Sequence, residues 1–497
     1  MVTLFKPNDK GKYQQLSPLS LPGKANSSFA WMIIILVLSF GFFGAILGAG
    51  NLVRFIFPAI SLVTSIYLYF KHSLLFVGFT WWVWCLTPLI RRLCDFYGTP
   101  DPNGIILLTP YLVTFVCSIS LVTNLPRINK IGGLPFVWAL AAIMYAVVVG
   151  IVQNPLITVI RAFLDWIVPV LFSFYLFANW KDYPLFKENL QKVFLTLTFA
   201  TGLYGVFQFV TAPQWDLQWL EMTRIVSMGD PEPFGLRVWS TLHSPSPFAT
   251  LMASAILLLA VTKSKWAFPV SVIGYLSLLL TFVRSAWGGW LVGLFALIAS
   301  LKPKPQIRLL GMFFTIMIVL LPLTMLSEDI RNPVVDRFES LTILDQDTSF
   351  NARIGHYERD LEIALTRVVG RGMGSSFIIN PSTGKVEIIA LDSGIFDSFF
   401  TLGWVGSVLY LSSIFVLLQK CFQRGGSSTS DPFAIAARSI SLSIISQLAL
   451  SSLMLGFSGM LMWSMIGICL AQRRYGFALC QSKLQESYNQ FKLPRMF

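Results

Sequence analysis

Residues 135–153 read PFVWALAAIMYAVVVGIVQ, nineteen positions without a charge. At 1.5 Å per residue such a run makes a helix of about 28 Å, close to the hydrocarbon thickness of a bilayer. The pattern recurs in both directions. Candidate spans fall at 31–49, 55–70, 73–90, 104–125, 135–153, 160–179, 193–212, 241–262, 266–283, 286–301, 309–326, 396–418, 433–455 and 457–471. The second and the last are short, so 12–14 transmembrane helices are expected. The fold class is an all-α polytopic integral membrane protein.

Composition agrees. The chain has 497 residues, 55% of them hydrophobic and only 12% charged, with a mean hydropathy of +0.67. Soluble domains carry about 25% charge. The net charge of +13 sits in short connectors between apolar runs. That is the signature of membrane orientation, and it excludes nucleic acid as the expected partner. The six cysteines include no pair at metal-ligand spacing, and His72, His243 and His356 are far apart. No metal, cofactor or disulfide framework is expected. Lys6, Lys10, Lys12 and Lys24 precede the first apolar run, which lacks a small-residue cleavage site and reads as a retained span.

Placing the N-terminus in the cytoplasm puts Lys71, Arg127, Lys130, Lys181, Lys187, Lys192, Lys263, Lys265, Lys302, Lys304, Arg308, Lys420 and Arg424 on inward connectors. Asp216, Glu221, Asp230 and Glu232 then face out. The pair Arg91-Arg92 is the exception. The expected topology is N-in and C-in. It divides the chain into a cytoplasmic tail (1–30), helices 1–11 (31–326), an extracytoplasmic loop (327–395), helices 12–14 (396–471) and a second cytoplasmic tail (472–497). Trp215 and Trp219, in the exterior segment 213–240, suit an interfacial belt.

The long loop is polar, carries both charge signs and has no low-complexity character, so it reads as functional. Within it, 350–368 reads as a helix with Ser349 as N-cap, placing Arg353, His356, Tyr357 and Asp360 on one stripe. The run Gly370-Arg371-Gly372-Met373-Gly374 follows. It ends that helix as a turn, or offers backbone N–H groups to a phosphate.

Four arginines fall at or beside the exterior face: Arg161, Arg237, Arg284 and Arg353. Arginine near hydrocarbon is costly, and its planar fork suits phosphate oxygens. Arg237, Arg284 and Arg353 are the candidate diphosphate-binding set. Arg161, four residues before Asp165, reads equally as half of a helical ion pair. Asp392 and His356 are the candidate catalytic bases, with His243 and Asp397 as secondary candidates. A carboxylate that is partly desolvated where the loop re-enters the membrane has a raised pKa and can take a proton from a sugar hydroxyl. Asp392 reads equally as a helix cap.

These segments, in this order, resemble the O-antigen ligase and O-antigen polymerase superfamily of bacterial polysaccharide-assembly proteins. The resemblance rests on Arg237 before a proline-rich span start, the Arg284-Ser285 turn, Arg353-x-x-x-Tyr357, Gly370-x-Gly372-x-Gly374 and Leu402-Gly403-Trp404-Val405-Gly406. It covers about residues 190–420. It implies an inverting, metal-independent glycosyltransferase at the outer face of the bacterial cytoplasmic membrane. The implied donor is a glycan on undecaprenyl diphosphate; the acceptor is a glycan or a lipid-linked sugar. Other polysaccharide-assembly proteins are implied partners. Relatives typically place histidine, often followed by asparagine, where this chain has Asp392-Ser393, so ligase and polymerase both stay open. The rival from another class is a secondary transporter of bicarbonate or another small solute, which requires broken helices near mid-membrane and internal repeats. A structural partner of a glycan flippase is a third.

Overall fold

The structure, a computed structural model, describes residues 27–101, 104–223, 228–303, parts of 305–318, 366–379 except 367, 386–388, 393–423 and 431–492. It is an all-α polytopic membrane protein. Among the described residues, eight helical segments are long and apolar enough to cross a bilayer, one of them, Ile105–Arg127, made of several short helices, and Pro245–Leu259, Ala267–Leu280 and Pro432–Ile445 are shorter apolar helices.

The helices are α1 (Ser27–Ile46), α2 (Gly50–Lys71), α3 (Ser73–Tyr97), α4 (Thr109–Phe115), α5 (Ser118–Asn124), α6 (Leu134–Gln153), α7 (Leu156–Ala178) and α8 (Tyr183–Thr211). They continue as α9 (Gln214–Thr223), α10 (Pro245–Leu259), α11 (Ala267–Leu280), α12 (Arg284–Ser300), α13 (Gly394–Phe422), α14 (Pro432–Ile445) and α15 (Gly456–Lys492). Pro58, Pro88 and Pro169 lie inside α2, α3 and α7. Membrane helices tolerate such prolines because neighbouring groups satisfy the freed carbonyls.

Several expected spans differ from the observed helices. The span expected at 104–125 is not one helix: after a 3-10 turn at Ile105–Leu108 it breaks between α4 and α5 around Val116 and Cys117. The span expected at 433–455 stops at Ile445, and 446–455 runs as irregular backbone. The last helix continues to Lys492, far past residue 471. The loop also holds a short antiparallel ribbon, β1 (Phe377–Ile379) with β2 (Val386–Ile388), pairing Phe377 with Ile388. The expected loop helix 350–368 lies almost wholly outside the described residues. Trp215 is not a free belt residue: its indole N–H donates to the Tyr204 hydroxyl at 2.7 Å.

The bundle is held by small residues where helices approach. α7 packs along α15, α6 along α13, and α12 along α14. On α12, Gly289 and Gly293 face Gln447, Ser443 and Ser439, and on α15 Gly467 faces Ser173 of α7. Lipid chains are as apolar as leucine, so such contacts gain from close van der Waals packing.

The candidate functional site

Contacts between helix ends bring together the starts of α7, α12, α13 and α15: Gly456 lies against Asp165, Ser285 near Ser451, and Ser452 on Asp397, while Arg237 before α10 reaches the turn into α12. The sequence-derived site residues that the structure describes gather at this end.

The first group surrounds Arg92. Its guanidinium is buried, 2% exposed. Nε lies 2.9 Å from Asp216 Oδ1 on α9, and the two terminal nitrogens donate to the carbonyls of Ser240 and Leu242. Asp216 also accepts from Gln208 Nε2 at 2.7 Å and from the Tyr204 hydroxyl at 2.8 Å. Burial pushes the Asp216 carboxyl up, and Arg92 opposes that shift. Next to this group, Arg54 pairs with Asp95 at 2.9 Å, and Arg91 lies 3.5 Å from the same carboxylate. The Arg91-Arg92 exception to the charge pattern thus has a physical reason. Both charges are met by acids at the same end of the bundle, so they do not weigh on orientation as free cations would.

The second group is the turn between α11 and α12. Phe282 has φ +53°, a left-handed conformation that a bulky side chain rarely adopts. Arg237 donates from Nε to Thr281 O and from a terminal nitrogen to Phe282 O, each at 3.2 Å. The Arg237 guanidinium therefore sits against the turn that leads into Arg284, the first residue of α12. The α12 N-terminus has no side-chain cap, and its partial positive charge adds to the two arginines. The segment before α10 completes this group. His243 is exposed, yet burial, followed by the charges of Arg92 and Arg91, lowers its pKa to about 4.

The third group centres on Asp397, in the first turn of α13 and 4% exposed. It accepts from Ser452 Oγ at 2.7 Å and from Thr401 Oγ1 at 3.2 Å. The neighbouring Ser451 lies 3.5 Å, oxygen to oxygen, from Ser285, which follows Arg284. The irregular stretch 446–455 thus joins the arginine turn to the carboxylate. Asp165, on α7, accepts from the Tyr111 hydroxyl and lies within electrostatic reach of Arg161 and Asp397. At the head of α13 the cap is Ser393, whose hydroxyl accepts from Phe396 N.

The glycine run does something the sequence did not suggest. Gly370, Gly372 and Gly374 all have left-handed φ, and the strand they form threads between α6, α7 and α13. Inside α13, Gly403 is non-helical at φ 65°, ψ −174°. That break frees the carbonyls of Phe400 and Thr401, which accept from Arg371 N at 2.8 Å and Gly372 N at 3.1 Å. Met373 N donates to Ala146 O at 2.8 Å, and Trp404 N to Val368 O at 2.9 Å. A methyl on Gly372 would collide with the Gly150 backbone, and one on Gly370 with Gly403. The N–H groups of Arg371, Gly372 and Met373 are spent on helix carbonyls, so these three cannot cradle a phosphate. The run is a backbone seam that ties the loop to the bundle.

The structure therefore brings Arg237 beside the Arg284 turn and joins that turn to Asp397 through Ser451-Ser452. Arg161 lies near the carboxylates, and His243 lies exposed in the segment before α10. Arg353, His356 and Asp392 lie outside the described residues. Sequence reasoning missed Arg92, Gln208, Asp216 and Tyr111. Gln208, a lone amide in an apolar span, was the available signal. Among the described residues no cluster of metal-ligating side chains occurs, and all six cysteines are free. These features define a multi-pass membrane protein with arginines and carboxylates gathered at one end of the bundle. The chain matches no protein-family model and no curated protein.

Proposed function

We propose that the chain is a glycosyltransferase of the O-antigen ligase and polymerase type, acting at the outer face of a bacterial cytoplasmic membrane. The observation that carries the reading is Arg237 held against the turn that begins α12 at Arg284. Two guanidinium groups and a helix N-terminus at the end of a bundle suit a diphosphate whose polyprenyl chain stays in the lipid. In this reading the acceptor hydroxyl oxygen attacks the anomeric carbon of the donor sugar. The carbon–oxygen bond to the diphosphate breaks with inversion, and the bond's electron pair leaves on the polyprenyl diphosphate, where Arg237, Arg284 and Arg353 meet the charge. Asp392 or His356 takes the hydroxyl proton. Asp397 is held by two hydroxyls and serves better as an acceptor-side contact than as the base. The lysine-rich opposite end supports the N-in, C-in orientation.

The test uses membranes containing the full chain and a polyprenyl-diphosphate-linked glycan. Arg237→Ala and Arg284→Ala should each lower transfer by about a hundredfold or more, with insertion unchanged. Normal transfer in both variants sinks the reading. A second reading has one observation in its favour. The helix breaks between α4 and α5 and at Gly403 are a feature of secondary transporters. The charged groups cluster at one end of the bundle, which favours the transferase. Solute uptake into proteoliposomes without any lipid-linked donor would reverse that order.

A further inference from the structure

The segment that carries Arg237 is fastened from two sides. Toward α11 and α12, Val238 N donates to Leu280 O at 3.0 Å, and the Arg237 side chain reaches Thr281 and Phe282. Toward α3 and α8, the Gln208 carbonyl oxygen accepts from Trp239 N at 3.1 Å and Ser240 N at 2.8 Å. Arg92 grips the carbonyls of Ser240 and Leu242, and the Ser240 hydroxyl donates to Thr201 O at 2.5 Å. Ser240 itself has φ +54°. A non-glycine residue in that region is strained and persists only where its surroundings over-determine it. Here the surroundings are Gln208, Arg92 and, behind both, Asp216, which bonds each of them.

We propose that Arg92, Gln208 and Asp216 form a positioning unit that holds Arg237 beside the turn that leads into Arg284, and with it the preference of this end of the bundle for a diphosphate over a monophosphate. The argument rests on the anion-binding reading above. In that reading Arg237 meets one of two linked phosphoryl groups and Arg284 the other. If one arginine drifts, the second phosphate loses its partner while the first keeps its own. The unit does not touch the anion; it acts through the Ser240 turn. Its residues come from α3, α8 and α9, so parts of the fold remote in sequence are committed to one backbone turn.

The experiment uses the full chain in lipid nanodiscs, with undecaprenyl diphosphate and undecaprenyl monophosphate as probes. Gln208→Met keeps the volume and removes both acceptor and donor functions. Arg92→Lys keeps the charge opposite Asp216 and loses the fork to two carbonyls, and serves if Gln208→Met fails to fold. Either variant should weaken diphosphate binding about tenfold and monophosphate binding less than threefold. Arg237→Ala should give the same loss, and Arg237→Ala combined with Gln208→Met should lose no more than the larger single effect. Independent, additive losses overturn the proposal, as does equal weakening of both lipids. Amide hydrogen exchange across 234–244 separates the two levels of inference. It should rise in Gln208→Met whatever the chain binds. If the unaltered chain binds neither lipid but exchange still rises, the anion reading fails and the fastening stands. If exchange is unchanged, the positioning unit is refuted.

Discussion

The two ends of the bundle carry charge in opposite ways. At the end that gathers Lys71, Lys187, Lys420 and Arg473, the charges lie at the rim. Lys187 pairs with Asp431 at 2.8 Å while both side chains remain partly exposed, Lys420 reaches Gly132 O at 3.2 Å, and Arg474 lies over Phe177 and Trp180. At the opposite end, Arg54, Arg92, Asp95 and Asp216 are all buried. Rim charges set orientation and are individually replaceable. Buried pairs cost desolvation, and they are retained where a particular geometry is needed. The end that spends free energy on buried ions is the end with left-handed non-glycine turns at Phe234, Ser240 and Phe282. This contrast is the physical ground on which the proposed site is placed at that end.

Removing one partner from each kind of pair gives the largest expected difference. Arg92→Ala leaves Asp216 buried without its cation and should cost about 3–5 kcal/mol, seen as a lower unfolding temperature in detergent. Lys187→Ala should cost about 1 kcal/mol or less. Equal shifts in the two variants would erase the distinction between the ends.

Glycines provide the next comparison. Gly372→Ala imposes a left-handed alanine, worth about 1–3 kcal/mol, and drives a methyl into the Gly150 backbone, adding overpacking of about 1–3 kcal/mol. At the other end Gly132 is also left-handed, at φ +72°, but a methyl there meets nothing within 4 Å. Gly132→Ala should show the conformational cost alone. A Gly372→Ala chain as stable as Gly132→Ala would show that the seam is not tight.

A smaller effect is expected at Ser452. Ser452→Ala removes a 2.7 Å donor from buried Asp397 and should cost about 1–3 kcal/mol, while Ser482→Ala, on the exposed part of α15, should cost almost nothing. The smallest effect is one of pH. His243 has a pKa lowered to about 4, against about 6.5 when unfolded. The unfolded chain then binds the proton more readily, so this group's contribution to stability is complete above about pH 6.5 and is lost as pH falls toward 4. His243→Gln should leave unfolding at pH 7.5 unchanged and flatten its decline across that window. A titration midpoint near 6.5 for this imidazole would show that neither burial nor the Arg92 and Arg91 charges act on it.

Much of the architecture was legible because hydrophobic length is a local property. Residues 31–49, 135–153 and 160–179 each reappear as a helix with shifts of a few residues. The breaks were not legible in the same way. Apolar composition runs straight through Val116, and through 446–455 it is interrupted only by serines and Gln447. Within the candidate site, Arg237, Arg284, His243 and Asp397 stood out as charged or titratable groups at span ends. Arg92 was visible only as an anomaly of orientation.

The sequence by itself determined that this chain crosses a membrane many times and that Arg161, Arg237 and Arg284 fall at span ends or beside connectors. Apolar run length and charge placement act residue by residue, so no folding is needed to read them. Only the tertiary structure decided which groups meet which partners. Asp216 meets Arg92, the loop glycines meet Gly150 and Gly403, and Ser451-Ser452 joins the Arg284 turn to Asp397. Each of these depends on backbone hydrogen bonds and close contacts between segments distant in the chain, where neither hydropathy nor spacing carries the information.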